Sequence, residues 1–210
     1  MQVGIVSMRR LWFGPGDPVR AASAIARLAG GWLIAQDDAN HAAWWDPRAG
    51  TFERVRLFPP RGGLDLFSEA GGTKRLKPDL EAACTLPTAE GEAVVLLGSG
   101  SLPPRTRGAL VQTNAEGALE VRSADLAPLY ARISAALGLD PTQLNLEGAC
   151  LVGESLRWFQ RGHRRTGVSS ARVDLSWREL VAALHEECDP AKIAVDEVRR
   201  YDLGDIDGPR

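Results

Sequence analysis

The sequence predicts an all-β, propeller-like repeat of about three four-stranded antiparallel blades with two helical insertions. Three observations predict it. A Leu-Glu-(Ala/Gly)-Ala-Cys segment stands at Leu80–Cys84 and again at Leu146–Cys150. Each copy leads through a turn into a second apolar run with a polar end. A third copy of that layout comes first, with Ser23 in the place of the Glu, and Ser23 to Asp37 spans as many positions as Glu147 to Arg161. Short apolar runs joined by Gly-rich turns are the pattern of hairpins, and a recurring layout is the pattern of a repeat architecture.

The first unit covers 20–60. Ser23–Leu28 is a strand, Ala29-Gly30-Gly31 a turn, and Trp32–Ala35 a strand ending in Gln36-Asp37-Asp38. His41–Asp46, a turn at Pro47–Gly50 and Phe52–Phe58 complete four short strands, the make-up of one propeller blade. Arg61–Pro78 has little periodicity, and a loop of that length in a compact domain is either functional or mobile.

The second unit covers 79–123. Ala83–Leu86 leads through a long turn at Pro87–Glu92 into Val94–Leu97, which ends in Gly98-Ser99-Gly100-Ser101. Gly108–Thr113, a turn at Asn114–Gly117 and Leu119–Arg122 follow. Leu126, Leu129, Tyr130, Ile133 and Leu137 then lie at helical spacing, with Gly138 as the stop.

The third unit covers 144–204. Ala149–Val152, a turn at Gly153-Glu154 and Leu156–Phe159 lead to Gln160-Arg161-Gly162, and Val168–Leu175 follows. Ser176 and Glu179 form a capping box for a second helix with Leu180, Val181 and Leu184 on its apolar face. Ile193–Leu203 is the last strand. Both helices are expected as insertions on the outside of the blades, and the 210 residues as one domain.

Composition narrows the function classes. The apolar fraction of 44% and charged fraction of 25% are those of a soluble globular chain. A formal net charge of −2 and no long basic run give no electrostatic case for nucleic acid or an anionic membrane. Met1–Met8 is too short for a secretory signal and precedes its arginines, so a cytoplasmic location is expected. Cys84, Cys150 and Cys188 form no CxxC pair, and the first two read as small buried hydrophobes. His41, His163 and His185 lack metal-ligand spacing and read as surface or turn histidines. The six tryptophans read as inter-blade packing.

Several segments together resemble an uncharacterised family of bacterial β-propeller proteins. They are Gln36-Asp37-Asp38, His41–Asp46, Phe67–Ala70, Lys77–Ala83, Gly98–Ser101 and Leu144–Ala149. The Leu-Glu-(Ala/Gly)-Ala strand is also similar to that of esterase-like and phytase-like propellers. The first resemblance implies a propeller with further blades after a Tyr-Asp-Leu-Gly strand. Here Tyr201–Gly204 is followed closely by Arg210, so a C-terminally truncated, incomplete ring is expected. Its unpaired strand edges favour self-association.

If the Glu-bearing strand is innermost, Glu81 and Glu147 occupy equivalent places on neighbouring blades at one end of a central channel. The polar ends of the next strands fall beside them: Gln36, Asp37, Asp38, Ser99, Ser101, Gln160 and Arg161. A carboxylate in an apolar strand is costly unless paired, hydrogen-bonded or metal-bound. Glu81 and Glu147 are therefore the candidate catalytic residues, with Gln36, Asp37, Ser99, Arg105, Arg107, Gln160 and Arg161 as candidate binders of a small-molecule ligand. Oxygen donors such as Glu81, Glu147, Asp37 and Gln160 suit a hard cation such as Ca²⁺. Arg105, Arg107 and Arg161 suit an anionic ester, with a Glu as general base. A structural role for each Glu, held by backbone N–H groups or Arg161, stands beside these readings, as does a non-catalytic binding or interaction scaffold. Gly98–Ser101 is not a nucleophile elbow, and Gly71–Lys74 lacks phosphate-loop spacing.

Overall fold

The computed structural model describes residues 10–89 and 91–203, with Gly4 and Met8. Gly204 at the end of the third unit, Glu90 in the second unit's turn and most of Met1–Met8 lie outside the described residues. A small ribbon of β1 (Trp12–Gly14) and β2 (Asp17–Pro18) comes first. Three four-stranded antiparallel sheets follow. Blade 1 is β3 (Ala22–Leu28), β4 (Gly31–Gln36), β5 (His41–Asp46) and β6 (Thr51–Arg56). Blade 2 is β7 (Leu80–Thr88), β8 (Gly91–Gly98), β9 (Arg107–Thr113) and β10 (Leu119–Asp125). Blade 3 is β11 (Leu146–Val152), β12 (Ser155–Gln160), β13 (Ser170–Ser176) and β14 (Val195–Tyr201). Helices α1 (Ala127–Leu137) and α2 (Trp177–Leu184) are inserted as expected in order. The fold is all-β and propeller-like, and among the described residues no sheet closes into a barrel.

Strand pairing within each blade follows chain order. The hairpins explain this locally. Leu28 pairs with Gly31 across Ala29-Gly30, both in the left-handed region that a two-residue primed turn requires. In blade 2 the turn is shorter than the sequence suggests, because Pro87 and Thr88 remain in β7 and Thr88 pairs with Gly91. β7 packs between β3 and β11, so the first strands of the three blades stand side by side.

Each of these inner strands carries the same irregularity. The register shifts between Ala22 and Ala24, between Leu80 and Ala82, and between Leu146 and Gly148. The extra residues are Ser23, Glu81 and Glu147, so the equivalence seen in the repeat is a β-bulge in all three blades.

Blade 2 is covered on both faces. Ala93, Val95 and Leu97 join one core, and Val94 and Leu96 the other. A strand covered on both faces reads as a continuous apolar run, and Ala93–Leu97 is one, fully buried along its length. The core between blades 1 and 2 includes Leu28, Leu33, Ala42, Val55, Leu80 and Phe58.

The helices do not lie outside the blades. Leu129, Tyr130 and Ile133 of α1 and Leu180 and Leu184 of α2 belong to the core shared by blades 2 and 3. They form a wedge between the two sheets, and Trp158 of β12 meets Tyr130 edge to face at 5.1 Å. Gly108 of β9 allows a close approach here: a Cβ there would come 2.7 Å from Leu126 Cδ1, and that side chain would have to shift. Helical spacing correctly marked the apolar face, but did not say which surface covers it. The capping box is half formed: Ser176 Oγ accepts from Glu179 N at 3.3 Å, while the Glu179 carboxylate accepts from Ala194 N at 3.1 Å.

Two other expectations are corrected. Cys84 is buried in the doubly covered blade 2, but Cys150, on the less covered β11, is exposed. His41 is buried in β5, edge-on to Phe13 at 5.6 Å and accepting from Arg54 Nε at 3.3 Å. Trp158 and Trp177 do pack in the inter-blade core, whereas Trp12 is 42% exposed.

A helix wedged between sheets contributes to stability as a core element does. Leu129→Ala is therefore expected to destabilise the fold by about 2–5 kcal/mol, read by urea unfolding. A loss below about 1 kcal/mol would return α1 to the status of an external insertion.

Candidate functional site

The bulges bring the polar ends of the blades together, and the site is built at the start of the inner strands. Equivalent backbone bonds close each blade there: Asp37 N donates to Ala21 O at 3.0 Å, Ser99 N to Asp79 O at 2.9 Å, and Arg161 N to Asn145 O at 2.9 Å. Asp79 N also donates across to Asp37 O of blade 1 at 3.1 Å, and Leu146 N to Ser99 O of blade 2 at 2.8 Å. Adjacent blades are thus stitched through the residues that carry the polar groups.

Asp79 is the centre of the side-chain network. It is buried with φ +55°, and its carboxylate accepts from Lys77 Nζ, from Ser99 Oγ and, at 3.0 Å, from Arg105 Nη1. Lys77 also pairs with Asp37 of blade 1 at 2.5 Å. Arg105 Nη1 reaches Ser101 Oγ at 2.7 Å, and Ser101 Oγ lies 2.9 Å from Ser99 Oγ. Burial works to raise the Asp79 carboxyl, but the hydrogen bonds from Lys77 and Ser99 and the charges of Lys77 and Arg105 hold it below the usual range. Burial likewise works to lower the Lys77 ammonium, and its two carboxylates hold it above its usual value.

Glu81 and Glu147 have different surroundings. Glu147 Oε1 accepts from Asn145 Nδ2 at 2.7 Å and pairs with Arg161 Nη1 at 3.0 Å. Glu81 has no hydrogen-bond or ion-pair partner among the described residues. Burial, then the charges of Asp79, Glu147 and Asp37, push its carboxyl up to about 7 against the smaller pull of Lys77. Carboxylate oxygens of Asp37, Asp79 and Glu81 lie within 4.8 Å of one another, a donor set for a hard cation. The Lys77 ammonium already bridges two of the three.

The remaining predicted residues divide. Asp37, Ser99, Arg105 and Arg161 belong to the networks just described. Gln36 and Gln160 stand at equivalent places with both amide ends committed to backbone. Gln36 accepts from Arg20 N at 2.6 Å and donates to His41 O at 3.2 Å, and Gln160 accepts from Asn145 N at 2.8 Å and donates to Arg161 O at 2.8 Å. Arg107 is not part of the cluster. It begins β9, two strands out from β7, and its guanidinium lies over the Phe58 ring at 4.3 Å. Asp38 pairs with Arg20 at 2.9 Å, off the central network.

Lys77, Asp79 and Asn145 are the residues that sequence reasoning missed as site members. The signal was present: aligning Leu80-Glu81 on Leu146-Glu147 sets Asp79 on Asn145, two side chains with an oxygen acceptor just before the inner strand. The aperiodic loop at Arg61–Pro78 proves to be anchored by buried Phe67, and it delivers Lys77.

The Glu81 carboxyl links folding to pH. The unfolded chain loses this proton near 4.5, while the folded chain holds it to about 7. The folded state therefore binds the extra proton between those values, and stability falls as pH rises through that window. Glu81→Gln is expected to raise stability at pH 8 by on the order of 1–3 kcal/mol and to leave it little changed at pH 4, read as thermal midpoints. Lys77→Met is expected to cost about 3 kcal/mol by leaving Asp37 and Asp79 short of a cation. An unchanged midpoint in Lys77→Met, or at pH 8 in Glu81→Gln, would contradict the network as described.

No helix among the described residues is long and apolar enough to cross a membrane. No curated protein matches the chain. A family model described as a family of unknown function (DUF6929) matches residues 18–210.

Proposed function

We propose that this chain, which belongs to that family of unknown function, is a propeller protein that hydrolyses a phosphate or carboxylate ester at the polar end of its inner strands. The contrast between its two repeated glutamates carries this reading. Where burial and neighbouring charge bring one carboxyl of a repeated pair toward neutrality, that carboxyl is the candidate base. Glu147 is engaged by Arg161 and Asn145, while Glu81 is left among acidic neighbours with a carboxyl pushed up to about 7. A carboxyl that changes state near neutral pH is suited to general acid–base catalysis.

In this reading Glu81 takes a proton from water as that water attacks the ester. It returns the proton to the leaving oxygen as the bond to the acyl carbon or phosphorus breaks. Arg161, which is exposed, is the cation that an incoming anion meets first. Arg105, oriented by Asp79 and Ser101, supports it. Lys77 is excluded from the substrate role because two carboxylates already share its ammonium. The likeness of the Leu-Glu-(Ala/Gly)-Ala strand to esterase-like and phytase-like propellers supports the same reaction class.

One observation favours a second reading, a Ca²⁺ site on Asp37, Asp79 and Glu81: their donor atoms converge. Such an ion would have to displace the Lys77 ammonium, which makes the site weaker than its donor count suggests. Calcium titration by calorimetry on wild type and Lys77→Met separates the two readings.

A phosphoesterase and carboxylesterase panel tests the main proposal. Wild type is expected to turn over an anionic ester with a rate that rises with pH through about 7 as the base ionises. Glu81→Gln should lower kcat by about 10²- to 10⁴-fold. Glu147→Gln should act mainly on KM, through Arg161. Turnover indifferent to Glu81→Gln, or none on any ester, would leave a non-catalytic binding scaffold as the better account.

A further inference from the structure

Two cavities of different character adjoin where the end of β8 meets the segment leading into β11. The first, about 390 Å³, is lined by Arg105, Asn145, Arg161 and His163 among others, with no acidic side chain in its wall. The second, about 280 Å³, is lined chiefly by Leu102, Pro103, Ala127, Tyr130 and Ala131. Ser101, Thr142 and Leu144 line both, so one molecule can occupy the two as adjoining lobes.

We propose that this site takes an amphiphilic anion, with a phosphate or carboxylate head in the first lobe and a compact aromatic group in the second. The proposal rests on the reading of the inner-strand end as a ligand site and adds the class of ligand. Charge selects the head: the wall of the first lobe carries the guanidinium groups of Arg105 and Arg161, each held through one nitrogen by a single carboxylate, Asp79 and Glu147, and their other N–H groups suit the oxygens of an anion. Size limits the tail. A dry apolar cavity of about 150 Å³ holds a benzene ring, so the second lobe has room for a fused or substituted ring but not for a long chain.

The walls are preformed. Tyr130 is buried and its hydroxyl donates to Gly98 O at 2.7 Å. Asp140 Oδ1 accepts from Thr142 N at 2.9 Å and from Thr142 Oγ1 at 2.6 Å, which fixes the wall common to the two lobes. A mostly apolar pocket with a few fixed polar groups is the usual form of a small-molecule site.

Calorimetry on the full chain with 1-naphthyl phosphate, inorganic phosphate and 1-naphthol tests this, in a Glu81→Gln background so that consumption of the aryl phosphate is slowed. The aryl phosphate is expected to bind at least tenfold more tightly than either phosphate or naphthol alone. Ala131→Phe, placed on an exposed helix position, should fill the second lobe and abolish that advantage while leaving phosphate binding unchanged. Ala127→Phe provides an independent repeat should the first variant perturb α1. Arg161→Gln should weaken both phosphate-bearing probes. Equal affinity for aryl phosphate and phosphate, equal affinity for naphthol, or aryl phosphate binding indifferent to both lobe-filling variants would overturn the proposal. Binding without hydrolysis by wild type would remove the hydrolase reading and leave this one. Hydrolysis of an ester that depends on Glu81 but not on Ala131 would do the reverse.

Discussion

The shared ammonium of Lys77 is the interaction on which the polar end depends. It joins part-buried Asp37 of blade 1 to buried Asp79 of blade 2. Buried charges are tolerable only when paired and hydrogen-bonded. Ser99 and Arg105 supply the further bonds to Asp79, and the backbone bond from Asp79 N to Asp37 O holds the two blades at the spacing the ammonium spans. Burial, and after it the charges of Asp79, Glu147 and Asp37, push up the carboxyl of Glu81, the next acid along the strand. The same cluster therefore joins two blades and adds to the shift of the residue beside it.

The two inter-blade joints are built differently. Blades 1 and 2 meet directly, through Leu28, Leu33, Leu80, Leu96 and Val111. Blades 2 and 3 touch directly at their inner strands, β7 and β11, and helices fill the space between the sheets farther out, with Trp158 and Tyr130 in that layer. Small residues on blade 2, such as Gly108, let the helices approach closely. The cavities lie at this second joint, where the turns leading into and out of α1 meet the end of β8.

Much of this was legible in the residues. The repeated Leu-Glu strand and its Glu-less counterpart marked three equivalent strands, and the bulges at Ser23, Glu81 and Glu147 are what made the pattern recur. The turn residues fixed the hairpins. The placement of the helices was not legible, because a 3.6-residue period identifies an apolar face without naming its partner. Cys150 was misjudged for a related reason: it repeats Cys84 in sequence, but burial depends on which sheets lie alongside, and those differ between β7 and β11. Asp79 and Lys77 were hidden because a charged pair just outside a strand usually faces water, and here a neighbouring blade covers it.

The bulges have a consequence for how chemistry and folding are divided in this chain. An added residue in a strand lets the alternation of faces resume beyond it, so Ala82, Cys84 and Leu86 keep their core positions whatever side chain stands at 81. Position 23, 81 or 147 is thus a socket: a residue can be exchanged there with little repacking of the sheet behind it. One blade holds a hydroxyl in that socket and two hold carboxylates, on one scaffold. The polar end can be rewritten blade by blade, while the strands that carry it stay the same.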